Sequence, residues 1–206
     1  MSVKHLFATP IYFAPLCPKK SWASLGKRLL KDAYRIEAMD EEGSDWSELQ
    51  YPGGYTSYSS IPDLHERSTD FIALRKLIDK HVYRFVRALE YNVDPRTLQM
   101  NSSWINITRR GGHHSMHLHP QSVISGTIYL ATPKNSGNLK FEDPRLSKFM
   151  AAPARKENAK LINQTFVEFE PRAGHVVLFE SWLRHEVEPN LTANNRVSLS
   201  FNYSNF

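Results

Sequence analysis

From residue 101 to residue 203 apolar and polar side chains alternate with a period of two, in short runs cut by turn signals, and no other feature restricts the fold as strongly. Successive side chains on a strand point to opposite faces, so Trp104, Asn106 and Thr108 share one side and Ile105 and Ile107 the other. The pattern returns over residues 124–130, 166–169, 176–179 and, most clearly, 196–203. Gly111-Gly112, Asn135-Ser136-Gly137, Asp143-Pro144, the segment 171–174 and Pro189-Asn190 separate the runs, as turns between strands require. The earlier half reads differently. Residues 68–89 place Phe71, Leu74, Ile78, Val82, Phe85 and Leu89 on one helical stripe, with Ser68 or Asp70 as the cap and His81 beside the stripe as a helix-face histidine. Residues 21–38 carry Leu25, Leu29, Leu30, Tyr34 and Ile36 at looser helical spacing. Residues 6–16 read as an opening strand with a proline break, and residues 40–60, acidic and then rich in Gly, Ser and Tyr, as a long irregular loop. Residues 148–160 interrupt the strand series and read as a mobile insertion. The expected class is mainly β within an α+β chain: a β-barrel or jelly roll braced by N-terminal helices, in one domain over residues 1–206, helical over 1–95 and β over 100–204.

A chain of 206 residues with 41% hydrophobic content and 23% charged residues can bury one sizeable core. The net charge of +5 invites nucleic acid as a partner, but the cations fall in scattered pairs, Lys19-Lys20, Arg75-Lys76, Arg109-Arg110 and Arg155-Lys156, where a binding stripe would concentrate them. The single Cys17 cannot close an internal disulfide, which favours a reducing compartment, and the cytoplasm is the expected location. No segment approaches the roughly 18 apolar residues of a membrane span. The first ten residues, broken by His5 and Pro10, lack the apolar run of an export signal.

Chemistry concentrates in three places. His117 and His119, two residues apart on a strand, point to one face, and Leu118 between them is expected to enter the hydrophobic wall. Pro120 then ends the pairing. His185 follows a strand and a turn, and a third imidazole from a neighbouring strand closes a facial site for a divalent first-row metal with open positions for chemistry. Arg196 and Ser198 lie on the polar face of the last strand, where a barrel interior would give a carboxylate a bidentate cation and a hydroxyl. His113 and His114 read as groups at the rim and His175 as a surface or turn residue. Glu142 and Asp143 are the alternative sources of a carboxylate ligand, although Asp143-Pro144-Arg145 reads first as a turn, and His5 and His65 have no identifiable partner.

With these residues the sequence resembles a known family. Trp104-x-Asn106, His117-x-His119-Pro120, Ser125-Gly126-x-x-Tyr129-Leu130, Asp143-Pro144-Arg145, Phe179-x-Ser181-Trp182-Leu183-x-His185-x-Val187 and Arg196-x-Ser198-x-Ser200-Phe201-Asn202 are similar to the signature of bacterial and phage-associated 2-oxoglutarate/Fe(II) oxygenases. The resemblance covers roughly residues 54–202. It implies a double-stranded β-helix, ferrous iron and 2-oxoglutarate as co-substrate. It implies further that His117, His119 and His185 hold the metal and that Arg196 and Ser198 anchor the remote carboxylate. Trp104, Asn106 and Tyr129 are candidates to line the cavity, with Trp104 and Tyr129 equally readable as core aromatics. The implied reaction couples 2-oxoglutarate decarboxylation to C–H oxidation, as a hydroxylase does.

His119 stands where most of the wider superfamily places Asp or Glu. Three neutral ligands leave the ion its full 2+ charge, which strengthens binding of a dianion and favours ferrous over ferric iron. All-imidazole ligation also suits zinc or copper. Two rivals use the same histidines: a cupin-like metalloenzyme without 2-oxoglutarate, and a non-enzymatic, metal-stabilised jelly roll that binds a ligand. Neither gives Arg196 a role at the metal, so an Arg196 buried inside the barrel would count against both. A small molecule, a protein side chain and a nucleobase all remain open as substrate, with nucleic acid the less expected partner, and a homodimer is allowed but not required.

Overall fold

In the computed structural model, residues 2–145 and 150–205 are described. Strand β1 (Tyr12–Pro15) opens the chain, followed by α1 (Lys19–Met39), α2 (Glu41–Gln50), β2 (Gly54–Thr56), α3 (Leu64–Arg67) and α4 (Thr69–Ala88). Then come β3 (Gln99–Thr108), β4 (His114–His117), β5 (Ile124–Ala131), β6 (Leu139–Glu142), β7 (Phe166–Phe169), β8 (His175–Glu180), β9 (His185–Val187) and β10 (Arg196–Ser204). Among the described residues the strands form a six-stranded antiparallel sheet, β1-β8-β5-β10-β3-β2, and a four-stranded one, β4-β9-β6-β7. Apart from the β6–β7 hairpin, the chain from β3 to β10 crosses to the opposite sheet at each step. That alternation is the double-stranded β-helix.

The helices cover the outer face of the larger sheet. Ser68 caps α4, accepting from the Phe71 N–H, and Phe71, Leu74, Ile78, Val82 and Phe85 are buried against the sheet. From the sheet side Ile105, Ile107, Val197, Leu199, Phe201 and Tyr203 enter the same cluster. His81 belongs to this layer as the helical spacing predicts: its Nε2 bonds the Leu16 carbonyl at 2.9 Å and its Nδ1 the Tyr12 hydroxyl at 2.8 Å. A smaller cluster of Tyr129, Leu139, Phe141, Val177, Phe179 and Leu183 fills the space between the sheets.

The first sixty residues depart from expectation in two places. Residues 6–10 are not strand; pairing starts at Tyr12, beyond Pro10, and Leu6 and Phe7 are exposed. The segment 40–60 is not an irregular loop. Asp40 accepts from the Gly43 N–H and starts α2, with Glu41 and Glu42 at the helix N-terminus, and Gly54–Thr56 then pairs with β3. Helix α2 packs through Gly43 and Ser47, so it has no apolar stripe for periodicity to reveal. The β1 and β2 edges also mean that the N-terminal part contributes strands as well as helices. Of the segment 148–160, residues 148–149 lie outside the described residues, and residues 150–160 contain no strand.

Candidate metal centre

Antiparallel pairing of β4 with β9 sets His117 directly opposite His185. Strand β4 ends at His117, so His119 is not on it. The His119 backbone N–H instead bonds the Ser181 carbonyl at 3.0 Å, bringing its ring back beside the other two. Leu118, at the bend, is 42% exposed and does not enter the hydrophobic wall as expected from strand alternation. Ring centroids of His117 and His185 are 4.2 Å apart, and those of His119 and His185 5.0 Å. One ligand-capable atom from each of the three residues lies within 4.8 Å of the others.

All three rings are held by the same nitrogen. His117 Nδ1 is 2.7 Å from the Ser115 carbonyl, and His185 Nδ1 is 2.9 Å from the Leu183 carbonyl. His119 Nδ1 lies 2.7 Å from Asn202 Oδ1 and from Ser125 Oγ, which itself donates to Asn202 and contacts Ser181 Oγ. A carbonyl or amide oxygen at Nδ1 fixes the proton there and leaves the Nε2 lone pair free. Burial lowers the proton affinity of all three. His119 is pushed down to about 4 by burial and then by His117, and His185 well below its usual value by burial and then by the other two rings. The set is therefore neutral at physiological pH. Three neutral imidazoles, each oriented through Nδ1, fit a divalent transition-metal ion.

His114 stacks on His117 at 4.0 Å and sits at the cavity rim, as expected, while His113 is exposed. Asp143 is tied to Arg145 and Glu142 to Arg184, so neither acid joins the triad. His175 starts β8 and stacks on Phe13 at 5.2 Å. His65, which has no evident partner in the sequence, is buried with its Nδ1 2.9 Å from Ser103 Oγ, a contact between α3 and β3.

The same cavity is lined by Arg196, Ser198, Asn106 and Tyr129. Arg196 is only 3% exposed. Its Nη1 donates to the Ser136 and Gly137 carbonyls at 2.8 and 3.1 Å, and its Nη2 to Thr108 Oγ1 at 3.2 Å. Gly137, at φ +87°, makes that approach: a Cβ there would lie 2.1 Å from the Glu188 carbonyl oxygen and 3.0 Å from Arg196 Nη1. A guanidinium has five N–H donors, and these contacts use three. One Nη2 proton and the Nε proton remain, and among the described residues no carboxylate pairs with the group. The Ser198 and Tyr129 hydroxyls make no hydrogen bond to a described residue. Burial pushes the Tyr129 phenol up to about 12, against the pull of Arg196, so it stays protonated and able to donate. Asn106 is more committed, accepting from Thr56 at 2.9 Å and donating to Ser200 at 3.1 Å. Asn202, which shares the polar face of β10 with Arg196 and Ser198 and appears in the sequence only as the end of the last motif, is the group that orients His119.

Residues 102–202 match the model of a family described as "Putative 2OG-Fe(II) oxygenase". Over this span the chain belongs to the 2-oxoglutarate/Fe(II) oxygenases, enzymes that use iron and 2-oxoglutarate. Among solved structures, a Pseudomonas putida prolyl-4-hydroxylase aligns with 96% of this chain and 94% of its own, at 18% identity and TM-score 0.65. The epimerase SnoN from nogalamycin biosynthesis, in complex with Fe3+, alpha ketoglutarate and nogalamycin RO, aligns over 95% of this chain and 78% of its own, at 13% identity and TM-score 0.62. HygX from Streptomyces hygroscopicus, with nickel and 2-oxoglutarate bound, aligns over 95% and 83%, at 16% identity and TM-score 0.57. These likenesses show the fold. No curated protein matches the chain by sequence.

Proposed function

We propose that this oxygenase is a hydroxylase, with iron on the Nε2 atoms of His117, His119 and His185 and 2-oxoglutarate between that centre and Arg196. The observation that carries the reading is that one cavity is lined both by the three oriented imidazoles and by a buried arginine that has no acidic partner among the described residues. Burying a guanidinium without a counter-charge is costly, and a bound carboxylate offsets that cost. The two unused N–H groups of Arg196 would donate to the distal carboxylate as a fork, with Ser198 and Tyr129 donating beside it. Trp104 and Phe179, both buried, wall the centre and keep water from it. Ferrous iron bound there supplies the chemistry that couples decarboxylation of 2-oxoglutarate with dioxygen to oxidation of a C–H bond. The hydroxylase outcome asks of the protein only that it hold a C–H bond at the cavity mouth. A small molecule or a protein side chain satisfies this, and we place the reaction in the cytoplasm on the strength of the unpaired Cys17.

A cupin-like centre without 2-oxoglutarate, or a structural metal in a binding protein, gives the two unused N–H groups of the buried Arg196 no acceptor. Anaerobic addition of Fe(II) and then 2-oxoglutarate tests the assignment. A visible metal-to-ligand charge-transfer band is expected in the wild type, weakened in Arg196→Ala and absent in His185→Ala. Tight metal binding without a band would overturn the reading.

A further inference from the structure

A second cleft of about 790 Å3 lies beside β6 and β7, between the N-terminal arm (residues 4–11) and the segment 160–164, and shares no lining residue with the histidine cavity. Its size falls within the roughly 300–1,000 Å3 typical of small-molecule sites. The inner wall is apolar, formed by Ile11, Phe141, Val167, Phe169 and Leu183. The rim is apolar too, where a monomeric surface would be polar: Leu6 is 69% exposed, Phe7 93%, Leu161 63% and Ile162 42%. Single exposed apolar residues are ordinary, but four large ones converging on one concavity mark a place where something binds.

The charges at the mouth say what kind of molecule that is. The acids there are already neutralised, Asp143 by Arg145 and Glu142 by Arg184. Lys4 and Lys160 also line the cleft, and among the described residues neither has an ion-pair partner. Long lysine stems lie along apolar surface and carry the ammonium to the edge. We propose that the cleft binds an amphiphile with an apolar chain and an anionic head, such as a fatty carboxylate. The chain lies against Phe141, Val167 and Phe169, and the head group meets Lys4 and Lys160. The cleft shares no lining residue with the histidine cavity, although its wall residues Phe141 and Leu183 back onto His185, and its binding test does not depend on the oxygenase assignment.

Calorimetric titration of the full chain with dodecanoate and with dodecyltrimethylammonium, both below micelle formation, tests this. One dodecanoate per chain is expected, bound at least about tenfold more tightly than the cation. Lys160→Glu should remove most of that preference, and Ile162→Asp should weaken both ligands. Both substitutions fall on exposed positions, so the thermal unfolding midpoint serves as the control for folding. Equal affinity for the two amphiphiles, or dodecanoate binding indifferent to Ile162→Asp, overturns the proposal. So does a dimer in light scattering that Ile162→Asp dissociates, because the cleft would then be covered by a second copy of the chain.

Discussion

The two faces of β10 divide the labour of this protein. Val197, Leu199, Phe201 and Tyr203 look toward the helices and are 0–2% exposed, packed with α4 and the inner residues of β3. Arg196, Ser198, Ser200 and Asn202 look between the sheets, where the first three line the metal cavity and the fourth holds His119. A period of two separates stability from chemistry along nine residues of one strand. The strand's neighbours repeat the division: Ser198 sits opposite Asn106 on β3 and Tyr129 on β5, so the polar rows of three adjacent strands meet in one wall. Substitutions on one face should therefore move folding, and on the other ligand binding, with little crossover.

The largest effect belongs to the helix-facing side. Phe201→Ala removes a fully buried ring and should cost about 3–5 kcal/mol. For a chain of this length that lowers Tm by roughly 6–20 °C. Below the new transition, affinity for metal and for 2-oxoglutarate should stay within about threefold of wild type. Thermal denaturation with parallel 2-oxoglutarate titrations measures both, and a large loss of affinity in the folded variant would break the division between the faces.

Arg196→Met reverses the pattern. Its loss removes two charge-assisted hydrogen bonds to the co-substrate, each worth about 1.5–3 kcal/mol, so 2-oxoglutarate affinity should fall by about 100-fold or more. Stability should change little, because relief of burying a cation without a described counter-charge offsets loss of its hydrogen bonds to Ser136, Gly137 and Thr108. Metal affinity measured without 2-oxoglutarate should be unaffected. A variant that folds with a much lower Tm yet keeps its 2-oxoglutarate affinity would show that Arg196 is a structural residue.

A smaller change is expected one ring removed from the metal. Asn202→Ala takes away the acceptor that fixes the proton on His119 Nδ1, while Ser125 Oγ remains 2.7 Å away as a partial substitute. Outer partners of this kind are typically worth 10–100-fold in metal affinity, and the remaining serine puts the expected loss near the lower end, about tenfold. Metal competition titration reads it directly. An unchanged affinity would mean that the bend at Leu118, not Asn202, sets the ring.

How much of this could be read from the sequence follows the same division. The alternation on β10, the stripe of α4 and the gathering of His117, His119, His185 and Arg196 were all legible, because each depends on side chains at a regular period or in a distinctive set. What escaped depends on groups without such a signal. Helix α2 packs by glycine and serine, so its sequence looks like a loop. The carbonyls of Ser136 and Gly137 that hold Arg196 are backbone atoms supplied by a turn sixty residues away. Leu118 turns outward because β4 stops at His117 and the His119 N–H bonds the Ser181 carbonyl, a long-range contact that strand alternation does not reveal.

The histidines carry the comparison into pH, where the expected effect is smallest. In the metal cavity each ring has one tied nitrogen and one free. His81, on the helix side, has both nitrogens committed, to Leu16 and to Tyr12. Its burial lowers its pKa below the usual histidine value, with the Leu16 bond opposing and the Arg84 and Lys80 charges adding to the shift. Folding thus favours the neutral ring. Between its folded pKa and about 6.5 the unfolded chain carries the extra proton, so this contribution is complete above about 6.5 and declines as pH falls toward the folded value. One proton limits the slope to about 1.4 kcal/mol per pH unit. Protonation also removes the lone pair that receives the Tyr12 hydroxyl. His81→Phe should therefore be less stable than wild type at pH 7.5, and the gap should narrow toward pH 5. Carboxylates and the metal-site histidines titrate in both proteins and cancel in the difference. Denaturant melts of the two metal-free proteins across this range decide it. A gap that stays constant would mean that His81 keeps one charge state throughout, and a gap that widens toward acid would mean that folding raises its pKa.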